Sequence, residues 1–160
     1  MSQTRQLVAI MFTDIVGYTS MMQQDEQLAI AAVQRHQEVL EHYVALHKGE
    51  VLQYYGDGSL SIFPSSYEAL RCAADVQAAL QKDPRVPLRI GIHLGEILRE
   101  NGKFYGDAVN VASRIQSQGV ANSVLFSADI YDTIRNKMDF SAVSLGNLQF
   151  KNVSRPMEIY

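Results

Sequence analysis

An apolar run near the start of the chain most constrains what this sequence can fold into. Residues 6–14 are rich in β-branched and large apolar side chains, and the run ends on Asp14. Such a run favours a central strand that is buried on both faces of a sheet. An ionised carboxylate buried beside Ile10 and Phe12 is costly unless it is paired or bound to a metal. The run therefore predicts a sheet protein with a polar site at the end of its first strand.

The rest of the chain alternates between helical and extended patterns. The pattern predicts strands over residues 6–14, 50–55, 59–63, 87–98 and 123–126, with two more near 143–150 and 155–160. Apolar spacing predicts helices over residues 25–47, 64–81, 107–118 and 128–137. A short turn is expected at Gly17-Tyr18-Thr19-Ser20, and Lys48-Gly49 is expected to end the first helix with an αL residue. The order predicts an α+β fold with a ferredoxin-like βαββαβ core and an added α-β-α-β tail.

Composition narrows the functional class and the compartment. The 160 residues suit one domain, spanning 1–160, and the net charge of −3 argues against a nucleic-acid-binding surface. The single cysteine, Cys72, cannot form an intrachain disulfide, which predicts a packing role in a reducing compartment, the cytoplasm. The longest apolar run, residues 7–12, is far shorter than the roughly 20 residues of a membrane span, so no membrane contact is expected.

Two aspartates are candidates for a metal site. Asp57 lies in a Gly-Asp-Gly turn between the second and third predicted strands. If the first two strands pair, this turn lies beside the end of the first strand, and Asp57 meets Asp14. Two carboxylates at one sheet edge suit Mg²⁺ or Mn²⁺, which prefer oxygen ligands. Taken singly, Asp57 is also a common turn residue, and Asp14 could cap the following helix.

The second half of the chain supplies a complementary pair. Asn110 and Arg114 are four residues apart within a predicted helix, so they share one helix face. The pair could simply lie on a solvated face. In a functional role, the guanidinium of Arg114 would stabilise charge on a transferring phosphoryl group while Asn110 positions a sugar.

Four sequence blocks occur in a characteristic order: FTDIVGYT at 12–19, GDG at 56–58, GIHLGE at 91–96 and YGDAVNVASR at 105–114. Together they resemble the catalytic domain of class III adenylate/guanylate cyclases, and the resemblance covers nearly the whole chain from about residue 6. It implies a phosphorus–oxygen lyase that converts a nucleoside triphosphate into a 3′,5′-cyclic nucleotide and pyrophosphate. Adenylate cyclase is the default activity of the family.

The resemblance also implies the site residues and the assembly. Two Mg²⁺ or Mn²⁺ ions per site would be held by Asp14, the backbone carbonyl of Ile15 and Asp57. The substrate would be contacted by Gly17, Tyr18 and Thr19 at the β,γ-phosphates, Asn110 at the ribose, Arg114 at the α-phosphate and Lys151 at the triphosphate. Asn152 stands where the family usually has a glycine after that lysine. In the family the aspartates and the Asn–Arg pair of one site come from different chains, which implies a homodimer with two composite sites.

The two positions that select the base in this family depart from its pattern. They are Gln53, four residues before Asp57, and Lys103, seven before Asn110. Gln53 can donate and accept hydrogen bonds, whereas Lys103 can only donate, so the usual adenine readout is missing. Guanine or a pyrimidine, giving cyclic UMP or CMP, is therefore an alternative. A second alternative is a module that binds a nucleotide and dimerises but is catalytically silent. A diguanylate cyclase would need a Gly-Gly-Asp/Glu-Glu-Phe hairpin, which residues 55–59 lack.

Overall fold

The computed structural model describes residues 3–137, 141–148 and 157–160. The strands are β1 (Gln3–Ile15), β2 (Glu50–Tyr55), β3 (Gly58–Phe63), β4 (Leu88–Glu100), β5 (Lys103–Tyr105), β6 (Ser123–Phe126), β7 (Asn147–Leu148) and β8 (Met157–Glu158). The helices are α1 (Tyr18–Gln24), α2 (Glu26–Leu46), α3 (Ser66–Leu80), α4 (Asp107–Ser117) and α5 (Ala128–Ile134). None of the helices in these ranges is long and apolar enough to cross a membrane. Lys151 lies outside the described residues.

The main sheet has the strand order β2-β3-β1-β4-β5, with β6 parallel to β4. β1 is central and antiparallel to both β3 and β4, which confirms the buried first strand and the α+β, ferredoxin-like fold. The expected pairing of the first two strands is wrong, because β3 lies between β1 and β2. β3 is buried along its whole length, whereas β2 exposes Glu50 and Gln53. The more polar strand therefore takes the edge of the sheet.

Helices cover both faces of the central strand, and the strand alternation assigns each residue to a face. Ala9 and Met11 pack in a core cluster with residues of α2 and α3. Val8 and Ile10 belong to a second cluster that includes Ala112 of α4. Because successive side chains of a strand point to opposite faces, Thr13 continues the α2 face, and Asp14 lies on the face that α4 covers.

Several local elements differ from the sequence-based expectation. Residues 18–20 begin helix α1 rather than forming a turn, and the extended backbone of Asp25 separates α1 from α2. The Asp25 side chain caps α2 by accepting a hydrogen bond from the Leu28 N–H at 3.2 Å. The αL residue after α2 is Lys48, with φ 66°, and not Gly49. Strand β5 was not predicted, and the last two predicted strands are described only in part, as β7 and β8.

Candidate active site

The predicted metal ligands meet where β1 ends beside the β2–β3 turn. Asp14 is paired with Gly58 in the antiparallel register of β1 and β3. The backbone N–H of Ile15 donates to Asp57 Oδ2 at 3.2 Å. A Cβ at position 58 would lie 2.5 Å from the Thr13 carbonyl oxygen, so glycine permits this close approach. Asp14, Ile15 and Asp57 thus lie together as predicted, although it is β3 that brings the turn to β1.

Arg89 holds the carboxylate of Asp14, and it was not identified from the sequence. Arg89 Nε donates to Asp14 Oδ1 at 2.8 Å and Nη2 to Oδ2 at 3.1 Å, a bidentate ion pair. Its Nη1 also donates to the carbonyl of Ser117, the last residue of α4, at 3.2 Å. The available signal was a charged residue inside an otherwise apolar strand pattern, the same signal that singled out Asp14.

The electrostatics of the two carboxylates suit a bound cation. Burial raises the pKa of Asp57 and the neighbouring Asp14 carboxylate adds to the rise, while backbone hydrogen bonds and Arg89 act against it. Arg89 already offsets part of this repulsion, a divalent cation held by the two carboxylates would offset more of it, and their oxygen donors match Mg²⁺ or Mn²⁺. The described ranges contain no group of three or more His, Cys, Asp or Glu side chains that could hold a metal. Two carboxylates alone would leave the other positions around such an ion to backbone carbonyl, water and phosphate oxygens.

A cavity of about 410 Å³ opens beside the carboxylates. Its lining consists of Phe12, Thr13, Asp14, Tyr55, Asp57, Gly58, Ser113 and Gln116. The two aromatic rings are stacked, with centroids 6.0 Å apart and planes inclined by 22°. Sequence analysis did not predict Phe12, Tyr55, Ser113 or Gln116 as part of the site. Helix α4 of the same chain contributes Ser113 and Gln116 to this lining, but it does not contribute Asn110 or Arg114.

Asn110 and Arg114 lie on α4, as predicted, and both are partly buried. The Nε of Arg114 is buried and has no hydrogen-bond partner in the described part of the chain. A buried donor of this kind is costly unless a ligand or another chain supplies an acceptor. The described residues thus leave one donor of the Arg114 guanidinium without an acceptor.

The remaining predicted contacts are spread over the sheet. Gly17 is the N-cap of α1 with φ 74°, so a helix does start at the turn expected to meet phosphates. Gln53 is exposed on β2, and Lys103 is exposed at the start of β5. These two strands are the opposite ends of the order β2-β3-β1-β4-β5, so the structure does not place Gln53 and Lys103 on neighbouring strands.

Comparison with known proteins decides the family. Residues 1–160 match the family described as the adenylate and guanylate cyclase catalytic domain. The chain belongs to this family. It is 37% identical, over 98% of its length, to "Putative adenylate cyclase 3" of Rhizobium meliloti (strain 1021). It is 27% identical, again over 98% of its length, to "Adenylate cyclase 1" of the same organism.

A solved structure supports the same assignment. The adenylate/guanylate cyclase/hydrolase from Silicibacter pomeroyi is 30% identical, with a TM-score of 0.91, over 99% of this chain and 96% of that chain. The chain spans 28% and 27% of the two curated relatives' lengths. These comparisons confirm the family and fold predicted from the four sequence blocks. The enzyme class of the named relatives, nucleotidyl cyclase, is also the predicted one.

A buried polar network lies behind the carboxylates of this cyclase domain. Thr13 Oγ1 is 2.9 Å from His36 Nε2 of α2 and 2.6 Å from Ser59 Oγ of β3. His36 is only 1% exposed, and burial lowers its pKa to about 4 against the opposing effect of the Asp14 charge. His36 is therefore neutral in the folded protein near pH 7, and the network ties helix α2 to β1 at the residue before Asp14. A second buried histidine, His93 of β4, lies within hydrogen-bond distance of Ser127, with 2.7 Å between Nδ1 and Oγ.

The buried His36 makes stability depend on pH. On unfolding, its pKa returns to about 6.5, so between pH 6.5 and 4 the unfolded state binds more protons than the folded state. The contribution of neutral, buried His36 to the unfolding free energy is fully present above pH 6.5 and is lost as the pH falls toward 4. When the pH falls from 7 to 5, the unfolding free energy of the parent and of His36→Gln should both change. The fall should be about 2 kcal/mol smaller in His36→Gln than in the parent. Urea denaturation at both pH values measures this difference.

The exposed His42 on the same helix supplies the matched control. His42→Gln should keep the parent's loss of unfolding free energy between the two pH values. If the parent and His36→Gln lost equal amounts of unfolding free energy between the two pH values, His36 would have the same pKa in the folded and unfolded states.

Proposed function

We propose that this domain converts a nucleoside triphosphate into a 3′,5′-cyclic nucleotide and pyrophosphate at two composite sites of a head-to-tail homodimer. One observation supports the composite arrangement most directly. The cavity beside Asp14 and Asp57 is lined by other residues of the same chain's α4, and not by Asn110 or Arg114. A second copy placed head to tail brings the missing pair to each carboxylate cavity.

The carboxylates of one protomer hold the metals in this proposal. Asp14, Asp57 and the backbone carbonyl of Ile15 would hold two Mg²⁺ or Mn²⁺ ions. When bound, these ions lower the pKa of the ribose 3′-hydroxyl and neutralise the triphosphate. Asp14 is also held by Arg89, which keeps the carboxylate aligned at the strand end. Because Arg89 carries a positive charge beside the same cavity, it adds to the attraction for an anionic substrate.

The partner protomer supplies the groups that orient the nucleotide. Asn110 hydrogen-bonds the ribose, and Arg114 stabilises the charge that develops on the α-phosphate as the 3′-oxygen attacks in line and pyrophosphate leaves. The further phosphate contacts proposed from the resemblance are Gly17, Tyr18, Thr19 and Lys151. Positioning and charge stabilisation account for the rate, so no side-chain nucleophile is required.

The base is proposed to be adenine by default, since two curated relatives, 37% and 27% identical to this chain, are named adenylate cyclases. Gln53 is proposed to contact the base edge, and Lys103 is its proposed second contact. Lys103 cannot supply the acceptor that an adenine amino group would need at that position, which keeps guanine and pyrimidines as alternatives. We place the reaction in the cytoplasm, because Cys72 is buried as a free thiol.

Turnover with ATP, GTP, CTP and UTP in parallel, with Mg²⁺ or Mn²⁺, tests this function. We expect metal-dependent release of pyrophosphate with at least one of the four, and formation of the matching cyclic nucleotide. Chelation of the metal should stop the reaction. Absence of turnover with all four would overturn the cyclase proposal and favour a nucleotide-binding module that signals by dimerising.

A further inference from the structure

Three buried polar side chains lie directly behind the two proposed metal ligands. Thr13 is 2% exposed, His36 1% and Ser59 0%. The core around them, between the sheet and helices α2 and α3, is apolar and includes Met11 of β1 and Leu40 of α2. Polar groups are costly in such a core, and apolar side chains of the same shape would stabilise the fold about as well. Fold stability alone therefore does not explain these three residues.

The hydrogen bond between Thr13 and Ser59 joins the two strands that lead to the carboxylates. The two residues are directly opposite each other in the antiparallel register of β1 and β3, and their hydroxyl oxygens are 2.6 Å apart. The next pair in the register is Asp14 with Gly58, and Asp57 precedes Gly58 in the turn. The bond is therefore a cross-strand contact one register pair before the sheet edge where both carboxylates lie.

His36 connects this cross-strand bond to helix α2. Its Nε2 lies 2.9 Å from the hydroxyl oxygen of Thr13. Thr13 has a single hydroxyl proton, so it donates one of its two hydrogen bonds and accepts the other. A fully paired buried network makes the elements that it joins more rigid. Sliding of β3 along β1, or rotation of the Thr13 side chain, would break at least one of the two bonds.

The position of these bonds matters because the two carboxylates stand on separate segments. Asp14 belongs to β1, whereas Asp57 lies in the turn between β2 and β3. A small slide of one strand past the other would change the separation of the carboxylates. Mg²⁺ requires near-ideal octahedral geometry, so its affinity is sensitive to that separation. Partners that hold metal ligands in place typically contribute about 10- to 100-fold to metal affinity.

We infer that Thr13, His36 and Ser59 are positioning residues that fix the separation of the Asp14 and Asp57 carboxylates for binding divalent cations. The inference rests on the proposed function. It adds to that function three residues that act through the carboxylates and not on the substrate.

Binding of Mn²⁺ alone, followed by the electron paramagnetic resonance signal of the free ion, tests this role without turnover. Thr13→Val keeps the shape of the side chain but removes both hydrogen bonds. It should raise the Kd for Mn²⁺ about tenfold, the lower end of the effect of losing such a partner. Thr13→Ser keeps the hydroxyl and should bind Mn²⁺ within about twofold of the parent. Asp57→Ala should abolish the binding, which assigns the measured ion to this site.

Ser127→Ala is the matched control. It breaks a buried histidine–hydroxyl contact of the same kind, that of Ser127 with His93. His93 is opposite Ile10 in the register of β1 and β4, four residues before Asp14. This variant should unfold at a lower urea concentration than the parent but keep the parent's Kd for Mn²⁺.

A triple variant, Thr13→Val/His36→Leu/Ser59→Ala, separates positioning from stability. It replaces the whole network by apolar groups and leaves none of its polar atoms buried without a partner. It should therefore be more stable to urea than Thr13→Val, and yet it should bind Mn²⁺ as weakly.

Several results would contradict the inference. It would be overturned by an unchanged Kd for Mn²⁺ in folded Thr13→Val or in the triple variant, or by equal weakening in Ser127→Ala. A triple variant that does not fold would also overturn it, because the network would then be a requirement of the fold. If the parent binds Mn²⁺ through Asp57 and these variants bind it equally well, the proposed function stands and only this inference fails. If the parent binds no Mn²⁺, the metal site of the proposed function fails, and the inference fails with it.

Discussion

Asp57→Ala and Arg114→Ala should each be nearly inactive as homodimers, and mixing the two should restore about a quarter of the parent activity. Removing an arginine that stabilises a phosphoryl transition state costs about a thousandfold or more in turnover. Asp57→Ala removes a proposed metal ligand from both sites and should be comparably inactive. After subunit exchange, half of the dimers combine one chain of each kind, and one of their two composite sites escapes both changes. Cyclic nucleotide formation after mixing measures the recovery.

A chain that carries both substitutions is the decisive control. When it is mixed with the parent, each site of the mixed dimer contains one defective half, so only parent homodimers remain active, about a quarter of the total. Sites built within one chain would behave in the opposite way, with no recovery from the single variants and half of the activity left in this mixture. Asp57→Asn, which can still accept the Ile15 N–H bond, shows whether charge rather than local structure is responsible.

Gly91→Ala should destabilise the fold and the active site together. Gly91 lies in β4, and a Cβ there would be 2.3 Å from the backbone nitrogen of Gln116 and 2.5 Å from its Cα. Both atoms belong to the backbone of α4, so the helix must move as a body to make room. Overpacking of this kind costs about 1–3 kcal/mol and occasionally more. Urea denaturation should show that loss, together with reduced turnover because α4 carries Asn110 and Arg114.

Gly102→Asn is a suitable control for the Gly91 substitution. Gly102 has φ 75°, no described residue other than its chain neighbours has an atom within 4 Å of the point where its Cβ would stand, and asparagine tolerates this left-handed backbone. The unfolding free energy of this variant should stay within about 0.5 kcal/mol of the parent. A Gly91→Ala variant as stable and as active as the parent would show that α4 is not held this closely against β4.

Much of the fold was predictable because it depends on local patterns. The bounds of β2 and β6 agree with the prediction, and those of β3, α3 and α4 differ by only one or two residues. The missed elements are short, namely α1 and β5. Short segments carry too few residues for a periodicity to appear, and their structure depends on neighbours such as β4, with which β5 pairs.

The site residues that lie in the four sequence blocks were predictable. The groups that surround them in the structure were not. The ion pair between Arg89 and Asp14 joins residues 75 positions apart, and the stack of Phe12 on Tyr55 joins two strands that are not neighbours. His36 sits in a helix whose pattern gives no reason to expect a bond to Thr13. Such contacts depend on strand order and register. The spacing of residues within one segment of sequence does not reveal either of them.

The sequence by itself determined that the first strand is buried, that Asp14 stands near its end, and that Asp57 and the Asn110–Arg114 pair follow in the order typical of a nucleotidyl cyclase. These features are local, since each is a matter of residue type at a given spacing. Only the tertiary structure decided that β3 pairs with β1, that Arg89 holds Asp14, and that Tyr55 stands beside the carboxylates. The physical reason is that strand order is set by the relative burial of whole strands, and side chains distant in sequence meet only after that order exists.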